Sequence, residues 1–211
     1  QVTGETGEGD GIDSNGFLVI NGGTVSAWAC SDSMDAGVDA DQGIQINGGT
    51  LLAAGNMYTG NYLRTEGTNG VLNFGKQFTQ RPTRLKGYFK YTSVEINKSN
   101  DEMKYLIGQP DTCQIFIALG DWSEPVEIRT KPSDRKLFDK NDPHIIAYAD
   151  MYSGKSVTEY TPFTLELEYR DTDRIPTYIV VVASASKYGD YFTGGDGSVL
   201  FLDDFTLEYD Y

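Results

Sequence analysis

The chain has 211 residues, 39% of them hydrophobic, enough for a substantial core. Asp and Glu outnumber Lys and Arg by 31 to 17, a net charge of −14. That balance excludes nucleic acid and an anionic membrane surface as main partners, because phosphate binding needs clustered cations. No apolar run reaches the roughly 20 residues of a membrane helix, and the opening QVTGETGEGDG lacks the basic and apolar regions of a signal peptide.

Residues 1–55 form one unit by composition. They hold half of the 24 glycines, two aromatics (Phe17 and Trp28) and no Lys, Arg or Pro. GIDSNGFLVINGGTVSAWA (11–29) is echoed by GVDADQGIQINGGTLLAAG (37–55) at a period of 26. Each copy reads as a short β run, a corner at Asn-Gly-Gly-Thr and a second β run. Gly-Gly supplies the positive φ of a sharp bend, and Asn and Thr bond it locally. Short strands at a fixed period are the mark of a parallel β-solenoid, and about three coils are needed for one to stand alone. Two coils must therefore dock on the adjoining domain or continue a longer solenoid.

Beyond residue 55 the aromatics become dense and all 17 basic residues appear, so the second unit is placed at 56–211. Strict alternation marks RLKGYFKYTSV (84–94), TCQIFIAL (112–119) and FTLELEY (163–169) as half-buried strands. TYIVVVASAS (177–186) is apolar on both faces and is predicted to be central. VLNFGKQF (71–78), VEIRT (126–130), HIIAYADM (144–151) and SVLFLDDFTLEY (198–209) bring the count to about eight. The fold class is all-β: a jelly-roll β-sandwich preceded by a short parallel β-solenoid-like segment. Cys113 sits in an alternating apolar run, which favours a buried thiol over pairing with Cys30.

Several stretches carry candidate chemistry. GDWSEP (120–125) sets Trp122 between Asp121 and Glu124, the composition of a saccharide subsite if the indole is exposed, and of a core plug if it folds inward. The loop SASKYGDYFTGGDGS (184–198) combines Lys187, Tyr188, Asp190, Tyr191 and Asp196, and NMYTGNYLR (56–64) adds Tyr58, Asn61, Tyr62 and Arg64. Flat rings meet the C–H faces of sugars, and carboxylates and guanidinium groups meet their hydroxyls. In FLDDFTLEY, alternation places Asp203 with Phe201, Phe205 and Leu207, so its carboxylate needs a hydrogen bond, a cation or structural Ca²⁺. Glycoside hydrolysis would need two carboxyls about 5–10 Å apart, for which Asp121, Glu124 and Asp190 are candidates that no spacing singles out. A lone His144 and the lack of a nucleophile motif give no further support to catalysis.

Two resemblances add to this reading. GDGIDSNG (9–16) and INGGTV (20–25) resemble the β-helix repeats of a bacterial carbohydrate-binding family. That resemblance implies a calcium-assisted solenoid for acidic glycans, with Asp10, Asp13, Asp39 and Asp41 as the calcium candidates. From residue 53 on, FTQRPTRLKGYFKY, GQPDTCQIFIALGDWSEPVEIRT and SASKYGDYFTGG resemble the putative carbohydrate metabolism domain (PCMD) family over the last 159 residues. This implies a jelly roll from secreted and surface proteins of glycan-degrading bacteria, with first strands expected ahead of AAGN, where the repeats stand. The combined expectation is a non-catalytic module that binds a polysaccharide or oligosaccharide on a secreted, periplasmic or cell-surface protein. The alternatives are a glycoside hydrolase or lyase using loop carboxylates, and an adhesin or structural domain.

Overall fold

A computed structural model describes residues 12, 14, 16–21, 24–27, 43–46, 50–53, 56–67 and 69–210. The two repeats contribute β1 (Phe17–Ile20), β2 (Thr24–Ala27), β3 (Gly43–Ile46) and β4 (Thr50–Ala53). β1 lies parallel to β3 and β2 parallel to β4, with Phe17 opposite Gly43 and Thr24 opposite Thr50, so equivalent repeat positions sit side by side. Asp10, Asp13, Asp39, Asp41 and Cys30 lie outside the described residues.

Twelve more strands come after them: β5 (Asn56–Tyr58), β6 (Gly60–Glu66), β7 (Asn69–Phe74), β8 (Lys76–Gln77), β9 (Arg84–Thr92), β10 (Cys113–Gly120), β11 (Val126–Arg129), β12 (Ile145–Ser153), β13 (Val157–Glu166), β14 (Glu168–Tyr169), β15 (Tyr178–Ser184) and β16 (Val199–Glu208). Two sheets face each other. The first runs β14-β12-β10-β15-β5, with β8 also on β15, and the second runs β13-β9-β16-β4-β2. Leu51 of β4 pairs with Leu202 of β16, so the second sheet crosses the 55/56 boundary between the two units. The second repeat thus supplies β4 and the first repeat β2 to this sheet, in the place where the family resemblance asks for strands.

Period-2 alternation explains the core between the sheets. On β10 the odd residues Ile115, Ile117 and Leu119 point inward, joined by Ala147 and Ala149 of β12 and Ile179, Val181 and Ala183 of β15. The second sheet answers with Leu85, Phe89 and Tyr91 of β9, Phe163 and Leu165 of β13, and Leu200 of β16. Tyr91 keeps its polar tip satisfied by donating to the Ala185 carbonyl at 2.8 Å. Cys113 is a fully buried free thiol whose pKa is pushed up to about 11 by burial, which leaves it unreactive at neutral pH.

The even residues of β10 and β15 are buried as well. Phe116, Ala118, Val180 and Val182 meet a third, three-stranded sheet, β11-β7-β6, through Phe74 and Ile128, with Trp122 of the β10–β11 loop packed in the same cluster. β15 is therefore covered on both faces, as its continuous apolar run predicts.

One alternation breaks. The expectation that Asp203 shares a face with Phe205 and Leu207 is overturned by a β-bulge. Asp203 pairs with Tyr88 and Thr206 with Lys86, so Asp204 and Phe205 together oppose Gly87. Asp204 takes up the extra residue with φ 50°. Leu200 and Leu202 face the core before the bulge and Phe205 and Leu207 after it, which turns Asp203 outward. Gly87 permits this crossing, because a Cβ there would come within 2.7 Å of Phe205 and 2.9 Å of Phe163, whose rings meet edge-to-face at 5.3 Å.

Candidate functional site

The outer face of the first sheet is roofed at one end by the third sheet and open at the other. The open part is a cleft of about 250 Å³. Its floor follows from alternation: Gln114 and Phe116 on β10, flanked by Tyr148 and Tyr152 on β12 and by Ser184 and Val182 on β15. One wall is Leu137, Phe138 and Lys140, and the other is the loop Lys187–Tyr191. Phe116 stacks on Phe138 at 5.1 Å and tilts against Tyr148 at 6.0 Å, so a continuous aromatic layer, buried at Phe116 and Tyr148, underlies the cleft surface.

Polar groups fringe that surface. Asp150 Oδ2 accepts hydrogen bonds from the hydroxyls of Tyr148 (3.0 Å) and Tyr152 (2.8 Å), and Lys140 Nζ lies 3.9 Å from it. Burial first, then the Asp150 hydrogen bond and charge, push the Tyr152 phenol up to about 12; burial and the same carboxylate raise Tyr148. Both phenols hold their protons at neutral pH and serve as donors. Gln114 Nε2 reaches Tyr152 Oη at 3.4 Å, and Lys187 Nζ sits 4.3 Å above the Tyr152 ring. The cleft therefore offers ring faces, phenols, an amide and ammonium groups within one sheet-wide surface.

The loop wall is held from below by Asp111, which is 1% exposed. Its Oδ1 accepts the Thr112 amide at 2.8 Å, and its Oδ2 accepts the Gly195 amide at 2.8 Å and the Ser186 hydroxyl. The Lys187 amide also donates to the Thr112 carbonyl at 2.8 Å. Segment 186–195 is thus tied to the start of β10 at both of its ends.

Asp190 is half-buried in the same wall, and Arg135 stacks over Tyr191 at 4.4 Å from the ring centroid. Burial raises the Asp190 pKa, against an opposing pull from the Arg135 charge. A carboxyl raised on folding favours the folded state while protonated. That contribution is full below the ordinary aspartate value of about 3.9 and is lost as pH rises through the raised folded value. Asp190→Asn is expected to remove this downward step, read as urea midpoints of the two proteins between about pH 3 and pH 7. A wild-type profile that coincides with that of the variant would refute the assignment.

Of the candidates read from the sequence, Tyr188, Asp190 and Tyr191 line the cleft. Trp122 does not. Its indole is 7% exposed and fills the core under the third sheet, against Phe138. Asp121 explains the inward turn: it is held by His144 Nδ1 (2.9 Å) and Arg174 Nη1 (3.1 Å), while Thr177 Oγ1 donates to the Trp122 carbonyl at 2.6 Å. Burial alone would raise the Asp121 pKa, but these partners hold it below the ordinary value. Glu124 is exposed in the same loop. Gly120 pairs with Tyr178 and Gln114 with Ser184, so the Asp121–Glu124 end and the Asp190 end lie six residues apart along the strands, about 20 Å. That separation is too large for Asp121 or Glu124 to act with Asp190 across one glycosidic bond. Tyr58 packs on Phe74 at 5.0 Å, and Arg64 is exposed and bound to Glu66 at 2.6 Å, so neither reaches the cleft lining. Asp203 belongs to no group of three or more metal-ligating side chains among the described residues.

Sequence reasoning passed over Gln114, Phe138, Lys140, Tyr148, Asp150 and Tyr152. The signal was present in HIIAYADMY, where Tyr148, Asp150 and Tyr152 recur at period 2 opposite Ala147, Ala149 and Met151.

Fold and cleft together define a β-sandwich protein, antiparallel but for the β2–β4 pair, with an open, partly aromatic cleft on one sheet. The chain belongs to the family described as the putative carbohydrate metabolism domain, whose model matches residues 31–208, and its function is accordingly carbohydrate-related. No curated protein matches it. Two solved structures share the fold: a putative glycoside hydrolase from Bacteroides thetaiotaomicron (22% identity, TM-score 0.53, covering 68% of this chain and 47% of that one) and another from Bacteroides vulgatus (21%, 0.51, 67% and 63%). The chain thus spans about half to two thirds of the length of these structural relatives.

Proposed function

We propose that this chain binds a glycan in the cleft over β12, β10 and β15 as a non-catalytic module of a secreted, periplasmic or cell-surface protein. The observation that carries the reading is an aromatic floor whose accessible rings are Tyr152, Tyr188, Tyr191 and Phe138, set over the buried Phe116 and Tyr148 and fringed by Asp150 and Gln114. Sugar rings bury C–H faces on such a floor, while their hydroxyls exchange hydrogen bonds with a fringe already oriented by its own contacts. Membership of a carbohydrate-related family favours the same ligand class.

Calorimetric titration with an oligosaccharide panel tests it. Tyr152→Ala removes a 39% exposed ring, so roughly a tenfold loss of affinity is expected with little change in Tm. Affinity unchanged in Tyr152→Ala would move the site elsewhere.

A second reading, hydrolysis, draws on two carboxylates at one cleft, Asp150 and the raised Asp190, and on the names of the two structural relatives. Products released from a bound oligosaccharide, and lost in Asp190→Asn, would replace binding by turnover.

A further inference from the structure

We infer that the saccharide held by this cleft is anionic, its carboxylate or sulfate lodged against Lys187; this rests on the glycan-binding reading. The chain carries −14, and several of its described cations are spent on its own acids: Arg64 on Glu66, Arg84 on Asp210, Arg129 on Glu127, Arg174 on Asp171, and Lys86 on Glu208. Lys187 takes part in none of the ion pairs among the described residues. Its ammonium instead rests over two rings, 4.3 Å from the centroid of Tyr152 and 5.4 Å from that of Tyr188.

Of the other charges around the cleft, Asp150 has Lys140 and two phenol donors, and Arg135 pairs with Glu102 while its charge also bears on Asp190. Of the two lysines that line the cleft, Lys187 is the one in no ion pair, on a protein whose long-range field repels anions. A neutral sugar laid on the Tyr152 and Tyr188 rings would strip water from this ammonium with no charge in return, which is costly. An anionic group placed there regains that loss through a charge-assisted hydrogen bond, which is stronger than a neutral one. Selectivity then arises from the penalty on neutral ligands as much as from attraction.

The test titrates the intact chain with uronate-bearing and sulfated oligosaccharides, each beside its carboxyl-reduced or desulfated counterpart. At least one charged member is expected to bind about tenfold more tightly than its neutral partner, and the winning pair identifies carboxylate or sulfate. Lys187→Met, which keeps an unbranched side chain for packing on the rings, should erase that preference while neutral ligands bind as before or better. Lys187→Arg should retain it. Neutral and charged ligands binding alike, or a preference that survives in Lys187→Met, would overturn the anionic assignment and leave glycan binding standing. No binding by any member of the panel would remove both.

Discussion

Trp122→Ala is expected to lower the unfolding free energy by about 3–5 kcal/mol, the usual cost of deleting a large aromatic from a core. For a chain of this size that is a fall in Tm of roughly 6–20 °C. The site cannot collapse around the gap, because the third sheet rests on the indole through Ile128 and Phe74, and Phe138 meets its edge. Gly120 makes the seat. A Cβ there would come within 2.4 Å of the ring, so the strand end and the indole occupy space that only glycine leaves open. Since Phe138 also lines the cleft, the variant should weaken ligand binding in proportion to its loss of fold. Thermal unfolding followed alongside calorimetry separates the two. An unaltered Tm with abolished binding would instead make Trp122 a contact residue.

Asp111→Ala is expected to cost about 2–4 kcal/mol, read as a lowered urea midpoint with an unchanged slope. The carboxylate satisfies two amides and a hydroxyl at a position 1% exposed, and alanine leaves all three donors unmet. Asp111→Asn keeps an acceptor and should cost less. The damage should centre on segment 186–195, with hydrogen exchange there rising before that of β10. Because this segment is the cleft wall bearing Lys187, Tyr188 and Tyr191, ligand affinity should fall with it. Uniform exchange across the sandwich would mean that Asp111 braces the whole fold and not the wall.

The contrast between Trp122 and Tyr152 shows how far residue type alone carries a site. A tryptophan between two acids satisfies the composition of a saccharide subsite, yet Asp121 is taken by His144 and Arg174, and the chain turns the indole inward. Tyr152 lies in an ordinary alternating strand and becomes half-exposed only because the third sheet stops short of it. The loop residues Tyr188, Asp190 and Tyr191 were legible because glycines and aromatics clustered between two strong strands have few other uses. Asp203 defeats the alternation for a local reason: one αL residue, Asp204, reverses the parity of everything after it.

By itself the sequence determined eight strand segments of the sandwich, the inward faces of β9, β10 and β13, the burial of β15 and the period of 26, since all of these rest on local periodicity and composition. Longer blocks carried the family, while β5 and β6 went unread. Only the tertiary structure decided which outward faces were covered. The third sheet roofs one end of β10 and β15 and leaves the other open, and strand pairing sets Asp150, Tyr152, Gln114 and Lys187 side by side from segments up to 73 positions apart. Alternation tells a side chain which face of a sheet to take. What lies on that face depends on contacts between distant segments, and no local pattern encodes them.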